Sequence, residues 1–357
     1  MNAGAPAGGR ILILQTSFPG DVVLTLPLAQ ELKRALPASG IDMIVIPSAA
    51  GIPEHHPAIR EIIVYDKRGG DSGLAGFLKM LRRIRSNRYT AALVPHRSIR
   101  SALLPYLARI PIRVGFNRSA GWFLFNRVIS YDRGVHEIKR NCQLLSGLGI
   151  SVQDVISAKL YPGAEEIGTA GKVLAEAGIS PETAFITVAP GSVWETKRWP
   201  DKYFAEVIRI LSGRTWRTVL IGGKEDAGLC EQIRLMAEPA GAVNTAGRLS
   251  FLGSAEVIRR STLLLTNDTA PLHLAGAVGT RIAAIFGATV TRFGFGPTNP
   301  GDRVLEIEGL PCRPCSIHGG KTCPIGTFPC MLTLRPADVA DKILEMLNEK
   351  TRSTSSK

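Results

Sequence analysis

The feature that most constrains this chain is a rhythm that occurs twice: a short apolar strand, a turn, an amphipathic helix. In the first half, residues 10–15 read as a strand, 16–21 as a Gly-bearing turn and 22–36 as a helix. Residues 41–47, 62–65 and 91–95 read as further strands and 113–115 as a short one; 74–87 is a basic amphipathic helix and 136–148 another helix. After a polar linker the pattern restarts with helix 164–177, strand 185–188, helix 202–211, strand 218–221 and helix 227–237. Strand 263–266, helix 270–278 and strand 282–286 complete it. Strands that alternate with helices pack as a parallel, doubly wound α/β sheet with helices covering both faces. With 357 residues, two such cores are expected rather than one. We place a first domain at residues 10–160, a second at 161–335 and a closing helix at 336–348, with Val339, Ile343, Leu344 and Leu347 on one face. Residues 1–9 and 349–357 read as disordered tails. Two doubly wound domains are expected to enclose a cleft, the default place for a ligand.

The formal net charge of +13 favours anionic partners such as sugar phosphates, nucleotides, acidic lipids or nucleic acid. Specific nucleic-acid binding is disfavoured, because aromatic residues make up only 6% of the chain and no basic run interleaves with them. No uncharged apolar run reaches the length that spans a bilayer. The apolar stretch after Arg10 is too short for a signal-peptide core, so a cytoplasmic location is expected.

The richest stretch is Leu263-Leu264-Leu265-Thr266-Asn267-Asp268-Thr269-Ala270-Pro271-Leu272-His273. A strand runs through a polar turn into a helix of small residues. The first amides of a helix lack internal partners and carry roughly half a positive charge, so this is an anion site. Thr269 and Ala270 are small enough to let a phosphate approach; Asp268 either caps the helix or holds a hydroxyl or amine of a ligand. The ligand this stretch suits is a nucleotide or sugar nucleotide at the carboxyl edge of a parallel sheet.

Other loops fall at the same edge. In Thr16-Ser17-Phe18-Pro19-Gly20-Asp21, Asp21 opens a helix and reads either as a helix cap or as a general base. The loop from Ala189 to Pro200 offers Ser192 and the adjacent cations Lys197 and Arg198, a clamp for a diphosphate. Gly222-Gly223-Lys224-Glu225-Asp226 places a carboxylate where nucleotide-binding folds often hold ribose hydroxyls. His96, Arg97, Arg100 and Arg118 make the first half cationic and suit an anionic acceptor, or are solvated surface charges. Gly320-Lys321-Thr322 resembles the end of a P-loop, but Cys315 stands where the first glycine belongs and no strand precedes it. There is no D-x-D pair to clamp a metal. Cys312, Cys315, Cys323 and Cys330, with His318 between, read either as a structural zinc site or as a reduced thiol loop.

Taken in order, these segments resemble the lipopolysaccharide heptosyltransferases, glycosyltransferase family nine, from about Arg10 to Asn348. The resemblance is carried by the opening strand through Asp21, by Pro190-Gly191-Ser192 with Thr196-Lys197-Arg198-Trp199-Pro200, and by Thr266 to His273. The Cys312–Met331 segment is similar to heptosyltransferase II-type members. The resemblance implies a GT-B fold, two Rossmann-like domains facing a cleft. It implies inverting transfer of heptose from ADP-heptose to a lipid-linked, anionic inner-core oligosaccharide, without a cofactor for the chemistry. Asp21 then matches the general base, Lys197 the donor-phosphate lysine, Asp268 the sugar contact, and Thr269 and Ala270 the phosphate site. Ser192, Glu225 and His273 join the donor set, with Asp226 an alternative to Glu225; His96, Arg97, Arg100 and Arg118 form the acceptor set. The setting implied is the cytoplasmic face of an inner membrane, with peripheral attachment. The chain departs at Phe18-Pro19, where the family often has Ser-Leu, and at Ala270, where it commonly has Gly. The alternatives are a GT-B transferase using another nucleotide sugar and a non-catalytic nucleotide-sugar-binding protein.

Overall fold

In a computed structural model of the protein, describing residues 8–153, 156–239 and 241–354, each half of the chain closes one parallel sheet. The chain divides into two compact units, Met1–Tyr161 and Pro162–Lys357. Residues 1–7 of the expected N-terminal tail and 355–357 of the C-terminal one lie outside the described residues.

The first unit contains β1 (Arg10–Leu14), α1 (Pro19–Val23), α2 (Leu26–Ala35), β2 (Gly40–Val45), β3 (Glu61–Val64), α3 (Gly73–Ser86), β4 (Ala91–Val94), α4 (Ile99–Leu107), β5 (Ile112–Phe116), β6 (Arg127–Ile129) and α5 (Glu137–Gln143). The second contains α6 (Ala164–Glu176), β7 (Phe185–Ala189), α7 (Asp201–Ser212), β8 (Arg217–Leu220), α8 (Ala227–Met236), β9 (Val243–Asn244), α9 (Phe251–Arg260), β10 (Leu263–Asn267), α10 (Ala270–Val278), β11 (Arg281–Ile285), β12 (Arg303–Leu305), α11 (Pro329–Leu332) and α12 (Pro336–Thr354).

The sheet orders are β3-β2-β1-β4-β5-β6 and β12-β11-β10-β7-β8-β9. Counted within each unit, both are the order 3-2-1-4-5-6 of the dinucleotide-binding fold, and every pairing is parallel. This confirms the doubly wound, twice-repeated α/β reading. Such strands are covered on both faces and so are continuous apolar runs: Ile11 to Leu14 and Leu263 to Leu265 are fully buried. Helix α7 lays Phe204, Val207, Ile208 and Leu211 onto the second sheet. Helix α12 packs beside it with Val339, Ile343 and Leu347 buried, while Leu344 stays at the edge.

Three expectations need correction. The helix expected at 22–36 is two helices: Pro27 has no N–H to give the Val23 carbonyl, and Thr25 Oγ1 bonds the Asp21 carbonyl instead, at 2.7 Å. The helix expected at 136–148 ends at Gln143 and continues as a tighter 3₁₀ turn over Leu144–Leu148. The closing helix runs past Asn348 to Thr354.

The 3-2-1-4 order matters because adjacent strands β1 and β4, and likewise β7 and β10, send their chains to opposite sides of the sheet. The loops leaving their carboxyl ends part there, and ligands bind in the gap between them.

Candidate active site

In the first unit, the loop after β1 carries Asp21. Pro19, pre-set for a helical φ, starts α1, and Asp21 falls in its first turn. Ser17 Oγ donates to Asp21 Oδ2 at 2.6 Å and the Phe18 N–H donates to the same oxygen at 3.2 Å. The carboxylate is thereby held in one orientation and half-buried.

The loop after β4 sits beside it. His96 Nδ1 lies 2.9 Å from Thr16 Oγ1 and 2.8 Å from Ser101 Oγ of α4. Burial, with help from Lys67 and Arg97, holds the His96 imidazole down at about 4, so the ring is neutral near pH 7. Lys67 Nζ donates to the Thr16 carbonyl at 2.7 Å, and burial followed by the neighbouring Arg68 and Arg100 lowers its pKa. Arg97 stacks 4.4 Å from the centre of the Tyr131 ring and Arg140 stacks 4.5 Å from it. Arg140 also pairs with the buried Glu137, whose pKa is raised first by burial, with nearby Asp21 adding to the shift. Arg100 donates to the Gly73 carbonyl at 3.2 Å and lies over Tyr65 and Phe77. Arg118 is exposed after β5, where Ala120 N–H bonds the Arg97 carbonyl at 3.0 Å and draws the two loops together. Sequence reasoning missed Ser17, Lys67 and Ser101; their only signal was position at a strand's carboxyl end or a helix start.

In the second unit the centre is an ion pair between the half-buried Lys197 and the buried Asp268. Lys197 Nζ donates to Asp268 Oδ2 at 2.6 Å and to the Asp268 carbonyl at 3.1 Å. Thr289 Oγ1 donates to the same carboxylate oxygen at 2.7 Å. Thr289 is in turn fixed by Arg313, which donates to its carbonyl at 2.9 Å and pairs with Glu306. Thr289 and Arg313 were missed by sequence reasoning; the carboxyl end of β11 was the available hint for Thr289. The cap of α10 is Thr269, with no side-chain cap bond, so Asp268 is not the helix cap. In the first turn of α10, Pro271 has no N–H to give and the Leu272 N–H donates to the Thr269 carbonyl at 3.1 Å, so the anion-binding character of this uncapped helix start falls to the Thr269 and Ala270 N–H groups. His273 stands in the same turn, half-buried.

The β7 loop is pinned from behind. Asn267 joins both sides: its Nδ2 donates to the Pro190 carbonyl at 2.8 Å and its Oδ1 accepts from the Trp199 N–H at 3.2 Å. Buried Trp199 also donates its indole N–H to the Leu334 carbonyl at 3.1 Å. Ser192 is buried, and its carbonyl accepts from Arg198 at 2.7 Å. After β8, Glu225 is exposed, whereas the Asp226 carboxylate accepts from Gly223 N–H at 3.0 Å and lies against Gly191. Asp226, rather than Glu225, is the carboxylate brought to the switch point.

A cavity of about 550 Å³ lies behind this loop, lined by Pro190, Arg198, Trp199, Phe204, Ile233 and Phe328 among others; Ser192, Lys197 and Asp268 do not line it. The cysteine segment forms part of its wall through Cys323. Burial pushes the Cys330 thiol up to about 11 and raises that of Cys315. No three of the sulfurs of Cys312, Cys315, Cys323 and Cys330 lie within 4.8 Å of one another. A zinc cage needs them about 3.8 Å apart around bonds of about 2.3 Å, so the thiols as arranged do not fit a tetrahedral ion.

Comparison with known proteins adds three findings. The sequence pattern of glycosyltransferase family 9 (heptosyltransferase) matches residues 77–324. A lipopolysaccharide heptosyltransferase 1 from Pseudomonas aeruginosa is 27% identical over 365 residues, covering 96% of this chain and 92% of that protein. Two solved structures share the fold: a glycosyl transferase family 9 protein from Veillonella parvula (TM-score 0.88, 23% identity, 98% of this chain and 100% of that one) and the E. coli ADP-heptose lipopolysaccharide heptosyltransferase II (TM-score 0.80, 22% identity, 96% and 99%).

Proposed function

The chain belongs to glycosyltransferase family 9, the heptosyltransferases, and from that premise we propose that it moves a heptose from ADP-heptose to the anionic, lipid-linked inner core of lipopolysaccharide, inverting the sugar carbon. The names of the relatives support this donor and acceptor. The observation that carries it in this chain is chemical: a held carboxylate, Asp21, at the switch point of one unit, and a cation beside an uncapped helix start, Lys197 and α10, at the switch point of the other.

In this reading the first unit takes the acceptor and the second the donor. Asp21 removes the proton of the acceptor hydroxyl while that oxygen attacks the anomeric carbon of the heptose. The bond from that carbon to the diphosphate oxygen breaks, and ADP leaves carrying the electron pair. One displacement inverts the carbon. The Lys197 ammonium and the Thr269 and Ala270 N–H groups at the start of α10 meet the charge growing on the diphosphate, which is where fixed dipoles lower a barrier most. Asp268 holds Lys197 until the donor arrives and then offers its carboxylate to a sugar hydroxyl. Asp226 is the better placed partner for ribose, with Ser192 beside it.

In this reading the cysteine quartet is a reduced thiol loop. Elemental analysis checks it: one zinc per chain, lost in Cys315→Ser, would restore the metal reading. We place the enzyme at the cytoplasmic face of the inner membrane, where a nucleotide-sugar donor and a lipid-linked acceptor can meet. Among the described residues no helix is long and apolar enough to cross a bilayer.

Calorimetry with ADP, UDP, GDP and CDP, paired with a heptosyl-transfer assay, tests the reading. ADP is expected to bind selectively. Asp21→Ala should cut turnover by about 10²–10⁴ with ADP affinity kept. Lys197→Ala should weaken ADP binding and cut turnover by about 10²–10³. Preference for another nucleotide removes ADP-heptose as donor, and wild-type turnover in Asp21→Ala removes the base.

A further inference from the structure

The first unit carries 21 Lys and Arg against 10 Asp and Glu, a net +11, leaving +2 to the second. Between Asp71 and Asp132 the chain holds eleven cations and no carboxylate residue. That stretch builds α3, α4 and the turn Trp122–Leu124.

These three elements meet. Helix α3 packs on α4, and the Arg100 guanidinium of α4 donates to Gly73 at the start of α3 while lying over Phe77. The 122–124 turn rests on α4 because Gly121 lets the chain come close: a Cβ there would fall 2.6 Å from the Ala102 Cβ. Apolar side chains stand out from this surface. Leu74 is 73% exposed, Trp122 52% and Phe123 61%, with Leu78 and Ile99 also open. Single exposed apolar residues are ordinary on a protein surface, but a cluster of this kind marks an interaction site. Arg82 and Arg118 are exposed on the same elements and the loop beside them, as is Lys79, whose ammonium pairs with Asp71 at 2.8 Å.

We propose that α3, α4 and the Trp122–Phe123 tip form a docking surface for an anionic lipid bilayer, the aromatic tip entering the headgroup layer and the cations meeting lipid phosphates. Charge complementarity selects this occupant: a basic amphipathic surface with an aromatic edge binds anionic interfaces through apolar burial plus electrostatic attraction. The surface borders the catalytic loop, since His96 bridges Thr16 and Ser101 of α4. A lipid-linked acceptor would therefore be met beside Asp21. The inference rests on the reading that the acceptor is lipid-linked.

The test is flotation of the full chain with vesicles of phosphatidylglycerol and phosphatidylethanolamine, against phosphatidylcholine alone. The variants are Trp122→Ser with Phe123→Ser, and separately Arg82→Glu, each checked by its unfolding temperature. Wild type is expected to float with the anionic vesicles only. The aromatic pair and the charge reversal should each lose about tenfold or more in vesicle affinity. Turnover with a saturating de-acylated, soluble acceptor should stay at the wild-type kcat. Undiminished vesicle binding by both variants overturns the proposal, as does equal binding of wild type to neutral vesicles. A wild-type dimer that the aromatic variant dissociates, with vesicle binding unchanged, would make the patch a contact between copies and overturn it too. Loss of transfer to every acceptor with vesicle binding intact would instead count against the heptosyltransferase reading.

Discussion

Two histidines in the first unit are held neutral, and neither is neutral in the unfolded chain at mildly acidic pH. His56 is buried, with its Nδ1 accepting from the Ala58 N–H at 3.2 Å, and burial lowers its pKa to about 4. His96 is lowered to about 4 by burial, then by Lys67 and Arg97. Both ordinary values are 6.5. Above that pH neither state binds the proton and stability is unaffected. Between about 6.5 and 4 the unfolded chain takes up protons that the folded chain refuses, so stability falls as pH falls. The slope is at most about 1.4 kcal/mol per pH unit for each ring. Urea unfolding at pH 7 and pH 5 should therefore show a larger loss for wild type than for His56→Gln with His96→Gln. Equal losses would mean that these rings are not kept neutral by the fold.

At the scale of elements, the donor-side loop depends on what backs it. Trp199 is packed edge-on against Tyr203 and Phe204 and ties β10 to the start of α12. Trp199→Ala should cost about 3–5 kcal/mol by the cavity it leaves, read as a lower midpoint in denaturant. Gly191 makes a subtler case. A Cβ there would sit 2.2 Å from Asp226 Oδ1, so Gly191→Ala must swing the carboxylate away. ADP affinity should drop about tenfold with little change in melting temperature, and the loss should vanish in an Asp226→Ala background, as coupled neighbours require. A loss that persists there would mean Asp226 is not what the glycine protects. The sheet was legible from sequence because buried parallel strands are unbroken apolar runs, and the loops after β1, β7 and β10 could be placed by the helix starts at their far ends. Helices α4 and α9 were not read. Pro105 interrupts the hydrogen-bond pattern of the first, while Ser250, which caps the second by accepting from Gly253 N–H at 3.0 Å, was a signal overlooked. Thr289 had only its place after β11 to mark it, and Arg313 was out of reach, because only the folded sheet brings β11 beside β10 and a distant arginine beneath both.

For the molecule as a whole, charge divides the labour between the units. Each repeats one topology, so each offers a binding site at its switch point, yet the first holds +11 of the +13 net charge. Its cations Arg97 and Arg118 stand on loops and Arg100 in the first turn of α4, all partly solvated, whereas Lys197 in the second unit is mostly enclosed against Asp268 and Thr289. Screening acts most on exposed charges farther apart than the Debye length, which shrinks from about 10 Å at 0.1 M salt to about 3 Å at 1 M. Attraction of a polyanionic acceptor by the first unit is a sum of such long-range terms, while donor binding at Lys197 is short-range and enclosed. Raising sodium chloride should therefore increase KM for a soluble, de-acylated acceptor several-fold more than KM for the ADP-sugar, with kcat at saturation little changed. Measuring both constants across a salt series decides it. If the two rise together, the asymmetry in charge does not guide the acceptor, and the cations of the first unit are there for solubility or for the lipid surface alone.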